Sequence, residues 1–523
     1  MSWSGERETR SGGLAPASHS AGPGPLESRF DRRDFLRVAT AITLPSIFRG
    51  DPYAPIPRVP RPRALAPIRI RGRVHGAGKG LAGVSVSDGL QVVATDRDGR
   101  FELVADTGRR FVTISVPSGY ALPTHSTGTA RCFQRITSGP TGEMRTEFPL
   151  TVLPEGDHRH AFLLLADIQT QNVAHMARFR QETVPDLRKT LSRLGAMSVF
   201  GVGDGDIMWD ELTLYDDYET LVNQVGIPFV QVVGNHDLDL RESTDEGSTT
   251  TFERRFGPRY YSFDRGEIHY VVLDDAFYYG GAYLGYVPAD QLSWLANDLA
   301  RVERGRTVVV FAHIPLYTDI FARRGEAAPG IAQVVTNREA VYRLLQPYRT
   351  TVLSGHLHES TFSTEGGVWE RNHGAACGAW WTGEIGYDGT PNGYGIFEAS
   401  GSELRWTYQS TGKDAGHQLR TYAWGADPRA PEEILANVWS WEPGWTVAWY
   451  EDGERRGSMA RRTGLDPLAS QLFSGPKLPA TREWIEPVPT SHLFYAPASR
   501  QAREIRVEAT DRSGRTFSEV LRR

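Results

Sequence analysis

Five short segments carry side chains that bind divalent metal ions: Ala166-Asp167-Ile168-Gln169, Gly203-Asp204-Gly205-Asp206, Gly234-Asn235-His236-Asp237, Ala312-His313-Ile314-Pro315 and Gly355-His356-Leu357-His358. Carboxylate, amide oxygen and imidazole all suit such ions, and the lack of cysteine among them points to a hydrolytic site with harder donors. Two divalent ions about 3.5–4 Å apart need a shared carboxylate, hold a bridging hydroxide as nucleophile, and stabilise the attacking and leaving oxygens of an in-line displacement. Taken singly, each segment reads as a turn, a helix cap or a satisfied imidazole. What singles them out is that each directly follows a short apolar run.

Those runs read as strands. Phe162–Leu165, Val199–Val202, Phe229–Val233, Tyr270–Leu273, Val308–Phe311 and Val352–Leu353 alternate with helical stretches at about 173–194, 212–225, 289–304 and 337–347. A strand delivers its terminal side chains to one edge of a sheet, so residues scattered from 167 to 358 can meet at one point. Strand–helix repetition predicts the α/β class, with chemistry at the strand ends. From Ile68 to about Pro149 the chain alternates polar and apolar with turn signals such as Asp96-Arg97-Asp98-Gly99, which predicts a small β-sandwich. After Gly395 the β pattern returns, and 438–441, 445–450, 491–495 and 504–509 suggest a second β module.

The motif order Asp-x-(His or Gln), Gly-Asp, Gly-Asn-His-Asp, His, Gly-His-x-His resembles the calcineurin-like metallophosphoesterase family over roughly residues 160–410. Ala376–Gly383, Asp388–Tyr394 and the Trp-rich C-terminal region look like its bacterial exported subgroup, which has an N-terminal β module and a dedicated C-terminal domain. The resemblance implies a central α/β sandwich of two mixed sheets flanked by helices at 156–412. A transthyretin-like β-sandwich at 67–155 precedes it, a β-rich module at 413–523 follows it, and 1–66 is a signal and linker. Carried over, it puts one ion on Asp167, Gln169, Asp206 and His358, and a second on Asp206, Asn235, His313 and His356. Asp206 is taken as the bridge over Asp204, because Gly205–Asp210 matches the subgroup's Gly-Asp-aliphatic-aliphatic-x-Asp pattern without a gap. His236 then stands over the substrate as hydrogen-bond and proton donor, with Asp237 fixing its tautomer.

The implied activity is hydrolysis of a phosphate ester, a phosphodiester by preference. The alternatives are a diphosphatase of nucleoside-diphosphate-linked compounds, whose first motif Asp167-Ile168-Gln169 also resembles, and a non-catalytic cell-envelope binding protein. Gln169 stands where most family members have His, and its amide oxygen is a harder, weaker donor, so Mn2+ is the expected ion, with Fe or Zn as alternatives.

Composition bounds the rest. With 523 residues, 40% of them apolar, and 22 Phe, 20 Tyr and 13 Trp, the chain is globular and neither disordered nor fibrous. A net charge of −5 gives no electrostatic reason to expect a nucleic-acid partner. Asp31–Arg37 precedes an 11-residue apolar run, Val38–Phe48. That run is too short for a bilayer span of about 20 residues but suits the core of an export signal, and its arginine pair resembles the twin-arginine type. Export to the periplasm, cell surface or medium, a phosphate-ester partner from the envelope, and no transmembrane segment are therefore expected. Cys132 and Cys377 read as buried small hydrophobes. His175 on a helix surface, His269, His373, Asp274 or Asp275, Trp380, Trp381 and Tyr317 are weaker site candidates.

Overall fold

The computed structural model describes residues 67–522 apart from 107, 138–141, 475–477 and 479–481, and the expected export signal lies outside the described residues. Ile68–Gly76 turns Ile68, Ile70 and Val74 inward and pairs with Arg100–Ala105 on one side and Glu143–Leu150 on the other. A second sheet of Ser85–Ser87, Val92–Ala94, Phe111–Ile114 and Phe133–Arg135 completes the N-terminal sandwich.

The central apolar runs form β1 (Arg159–Ala166), β2 (Ser198–Asp204), β3 (Phe229–Val232), β4 (Tyr261–Arg265), β5 (Ile268–Val272), β6 (Thr307–Phe311), β7 (Arg349–Ser354), β8 (Thr361–Ser363), β9 (Trp369–Asn372), β10 (Gly393–Ser400) and β11 (Glu403–Ser410). One sheet runs β3-β2-β1-β10-β11 and the other β4-β5-β6-β7-β9-β8. Both are mixed: β1, β2 and β3 are parallel, as are β5, β6, β7 and β9, while β10, β11, β4 and β8 run antiparallel to their neighbours. The two sheets pack face to face. Phe162 of β1 meets Phe311 of β6 edge-on across the sheets at 5.5 Å, and lies flat on Phe397 of its own sheet with ring centroids 4.5 Å apart. This inner layer is continuous with the N-terminal sandwich core.

Helices cover the outer faces, which is why parallel strands buried on both sides read as unbroken apolar runs. Val184–Leu194 and Tyr215–Val225 cover the first sheet, while Ala289–Leu299 and Arg338–Leu345 cover the second. The expected helix over 173–194 runs through with one wide turn inside it, Phe179–Thr183, just ahead of Pro185, which has no N–H to continue the ladder. The helix from Ala289 stops at Leu299 instead of 304, tightening through the Arg301 N–H to Asp298 O and Val302 N–H to Leu299 O bonds before Gly305 turns left-handed.

Two more four-stranded sheets form the C-terminal region: Arg420–Tyr422, Ile434–Asn437, Thr490–Ala496 and Ala460–Gly464 in one, and Thr446–Glu451, Glu454–Ser458, Glu504–Thr510 and Thr516–Arg522 in the other. The strand expected at 438–441 is a turn. Its tryptophans are held by side chains instead of a ladder, with Arg420 over Trp439 and Arg461 over Trp441. Among the described residues, no helix is long and apolar enough to cross a membrane.

Candidate metal centre

The parallel strands β1, β2 and β3 of one sheet and β6 and β7 of the other bring their C-terminal loops to one edge. There Asp206, His313 and His356 offer donor atoms all within 4.8 Å of one another. His313 Nε2 lies 3.1 Å from Asp206 Oδ2 and 3.2 Å from Asn235 Oδ1. The Gln169 amide donates to the same Asp206 oxygen at 2.9 Å, and a half-turn about its last bond would present its oxygen there instead. His358 Nε2 lies 3.3 Å from Asp167 Oδ1, and Asp167 also accepts the His356 backbone N–H at 2.9 Å. All seven residues expected as ligands thus form one contiguous group, with Asp206 touching partners on both sides of the proposed division.

Two imidazoles have their orientation fixed. His358 Nδ1 meets Gly378 O at 2.9 Å and His356 Nε2 meets Ala332 O at 2.8 Å. A carbonyl only accepts, so those nitrogens carry the protons, leaving the lone pair on His358 Nε2 and His356 Nδ1 for a cation.

The backbone is strained here. Among the described residues, ten non-glycines have positive φ, and eight lie in the site loops: Asp167, Gln169, Asp206, Asp210, His356, His358, Trp380 and Trp381. Such conformations cost on the order of 1–3 kcal/mol each and cluster at functional sites where the surroundings over-determine them. Gly205 shows how tightly the loops pack: its φ is +66°, and a Cβ there would stand 2.0 Å from His313 Nδ1.

Charge makes the case for a cation. Asp167, Asp204, Asp206, Asp237 and Asp275 are all essentially inaccessible. Burial pushes the Asp204 carboxyl well above its ordinary range, and burial also brings Asp237 and Asp275 up to about 7. Burial acts the same way on Asp206, but His313 and His236 outweigh it and hold that carboxyl low. Burial disfavours the charged His313 imidazole, yet Asp206 raises it to about 10. Both Asp204 oxygens, Asn235 Nδ2 and His313 Nδ1 are buried without a hydrogen-bond partner. So many desolvated carboxylates need positive charge close by. The donor set of carboxylate, imidazole and amide, with no thiolate, fits divalent cations.

The expectation that Asp237 orients His236 is corrected. Asp210 does so: its Oδ1 lies 3.0 Å from His236 Nδ1. The Asp237 carboxylate instead accepts from the Ile207, Met208 and Gly234 backbone N–H groups, each at 3.1 Å, and from the Tyr215 hydroxyl at 2.9 Å. Asn235–Asp237 is a 3-10 turn. At three residues per turn, neighbouring side chains diverge by about 120°, so His236 faces outward while Asp237 points into the loop scaffold.

Of the weaker candidates, Trp380 stacks on His358 with centroids 4.3 Å apart. Trp381 is buried and donates from Nε1 to Ile168 O at 2.9 Å. Asp275 accepts the Ile314 N–H beside His313, whereas Asp274 is bound to Arg259 at 2.7 Å. His175 is half-buried against Trp381 and not a surface residue. His269 lies between Asp264 and Asp298, and His373 is buried. Tyr317 lines a cavity of about 340 Å³ with Asp319, Thr361 and Glu370. Both cysteines are free and buried, with Cys377 Sγ 3.7 Å from His358 Nδ1.

Sequence reasoning missed Trp209, Arg482 and Trp484. Trp209 sits 5.6 Å from the His236 ring, Arg482 lies over Trp209 at 4.3 Å and donates to Gln171 at 3.0 Å, and Trp484 meets Trp380 edge-on at 4.4 Å. Only Trp209 carried a signal, inside the Gly205–Asp210 pattern. The other two arrive from the C-terminal region.

Residues 160–360 match the model for the calcineurin-like phosphoesterase, residues 68–153 the model for its N-terminal part and residues 370–517 that for its C-terminal part. The chain is 33% identical to purple acid phosphatase 15 of Arabidopsis thaliana over 144 residues, which is 25% of this chain and 24% of that protein. It is 27% identical to the human serine/threonine-protein phosphatase CPPED1 over 141 residues, 27% of this chain and 44% of that protein. The chain therefore spans about a quarter to under a half of these relatives' length. A dimetal phosphatase from Danio rerio has 16% identity and a TM-score of 0.32 over 48% of this chain and 96% of that one.

Proposed function

Since the chain belongs to the calcineurin-like phosphoesterase family, which works through a dinuclear metal centre, we propose that it hydrolyses a phosphate ester, a phosphodiester by preference, outside the cytoplasm. The observation that carries this reading is the meeting of Asp206 with His313 and Gln169, beside Asn235, Asp167, His356 and His358. Asp167, Gln169, Asp206 and His358 would hold one ion, and Asp206, Asn235, His313 and His356 the other, Mn2+ being favoured by the amide at Gln169. When bound, such ions supply Lewis-acid stabilisation of phosphoryl charge and an activated water.

The remaining work falls to this chain's own residues. His236, whose side chain is 17% exposed, faces the open side of the site, where its ring can donate to a phosphoryl oxygen and pass a proton to the leaving oxygen. Asp210 holds the ring by Nδ1, so Nε2 is the atom that faces substrate. The fixed imidazoles of His356 and His358 keep their lone pairs turned inward. The modules at 67–155 and 413–523 act as parts of the same hydrolase. The segment at 1–66 acts as its export signal.

The test is hydrolysis of bis-p-nitrophenyl phosphate and p-nitrophenyl phosphate by chelator-stripped protein reloaded with Mn2+, Zn2+ or Fe2+. Activity should vanish on stripping, return best with Mn2+, and favour the diester. A fully reloaded protein that cleaves neither ester overturns this reading. For export, residues 1–66 fused to a folded reporter should carry it out of the cytoplasm, and Arg32→Lys with Arg33→Lys should retain it.

A further inference from the structure

Three tryptophans from separate parts of the chain meet beside the metal-ligand loops. Trp209 follows β2, Trp380 precedes β10, and Trp484 comes from the C-terminal region. Trp380 and Trp484 are 4.4 Å apart, and Trp209 lies 6.3 Å from each. Their placement is specific. Trp209 abuts His236 at 5.6 Å, and Trp380 lies nearly parallel to His358 at 4.3 Å and 23°. The cluster therefore runs from the proton donor to a metal-ligand residue. Two of its members are sheltered, but Trp484 is 41% exposed.

Packing alone does not account for this. Trp484 stands two residues after Arg482, which lies over Trp209 and donates to Gln171. An exposed indole reaching the proton donor through Trp209 is suited to receive a flat ring.

We propose that Trp484, backed by Trp380 and Trp209, forms the leaving-group subsite and selects phosphate esters whose departing alcohol carries a ring. This rests on the hydrolase reading above and names its substrate class. His236 protonates the leaving oxygen, so the group that departs lies on the His236 side, where Trp209 and Trp484 stand. A nucleobase stacks on an indole through its π-face and a pyranose through its C–H face. Glycerol and other open-chain alcohols offer neither. Trp484 acts in binding, so its loss appears mainly in KM.

The experiment compares methyl phosphodiesters of glycerol, of a nucleoside 5′-hydroxyl and of a hexopyranose 6-hydroxyl, following the released alcohol with metal-loaded enzyme. Wild type should cleave at least one ring-bearing ester with kcat/KM at least tenfold above the glycerol ester, and whichever ring ester leads identifies the source of the ring. Trp484→Ala should lower that ratio about 10- to 100-fold, the range of removing one base–aromatic stack, while Trp484→Phe keeps most of it. Circular dichroism checks that both variants, at a residue 41% exposed, keep the fold. Turnover of all three esters at comparable kcat/KM, or an unaltered ratio in Trp484→Ala, overturns the ring subsite and leaves the hydrolase reading standing. Failure to cleave any of them, or bis-p-nitrophenyl phosphate, overturns both.

Discussion

Asp206 accepts the His236 backbone N–H at 2.7 Å through one oxygen while its other oxygen faces His313 and Gln169. No neighbour can take over both oxygens, so Asp206→Asn should abolish turnover and lower bound metal, and His356→Ala should do the same. Asp204 makes no hydrogen bond from either oxygen, so changing it strands no hydrogen-bond partner. Asp204→Asn should keep kcat within about tenfold of wild type. Metal content by emission spectroscopy, read beside kcat, checks the ranking; the reverse order makes Asp204 the bridge. His236→Ala should keep its metal yet lose about 10²- to 10⁴-fold in rate, more for alkoxide than for p-nitrophenolate leaving groups. Asp210→Asn should show the same leaving-group dependence at about a tenth of the size, whereas Asp237→Asn should act on thermal stability, since it weakens four hydrogen bonds to the loops. These residues were legible as letters: every ligand candidate stood in a motif. Their pairing was not, because the 3-10 turn that parts His236 from Asp237 is a tertiary outcome and leaves no trace in spacing.

Between elements, β5 is pinned to the helix Ala289–Leu299 by a charge. His269 lies 3.0 Å from Asp264 and 2.9 Å from Asp298, with Arg306 also on Asp264 at 2.9 Å. Burial disfavours the imidazolium, but Asp298 and Asp264 raise it to about 10, above the ordinary value of 6.5. A raised folded-state value means the stabilisation is complete below about pH 6.5 and is lost as pH climbs through about 10. Thermal melts should therefore show a fall in Tm between pH 7 and 10 that His269→Gln removes, the variant being less stable than wild type at pH 6 and nearer to it at pH 10. Parallel melting curves for the two proteins across that range would mean His269 is neutral in the fold. Strand positions were readable because the strands are short, apolar and buried on both faces. The wide turn inside the helix at Phe179–Thr183 and the turn at 438–441 were not, because apolar periodicity continues smoothly across both while the backbone answers to Pro185 and to arginine–indole contacts.

Across the whole molecule, the metal loops join two sheets, so ligands that bind there bind the folded state alone. At a cation concentration of about 100 times Kd, each site adds roughly 2.7 kcal/mol, so a chelator that empties both should lower Tm by about 10–20 °C at neutral pH, on a scale of roughly 2–4 °C per kcal/mol. Calorimetry with and without chelator, followed by Mn2+, measures this; an unchanged Tm together with unchanged metal content would mean the ions lie elsewhere. The three-part layout showed itself in the sequence through the switches between period-two alternation and strand–helix repetition. The approach of Arg482 and Trp484 to Trp209 did not, because nothing local to residues 482–484 records which loop they will reach. One feature of the sheets bears on how the chain is made. Leu164 of β1 pairs with Gly395 of β10, so this almost wholly buried strand leaves the ribosome with one flank open until its partner follows. At about 5–20 residues per second that wait is on the order of 10–50 s, during which a buried strand is a bare edge that can recruit other nascent chains. Synthesis slowed within 170–390 should therefore favour aggregation over folding, and a message truncated before codon 393 should yield insoluble protein however complete its metal ligands are.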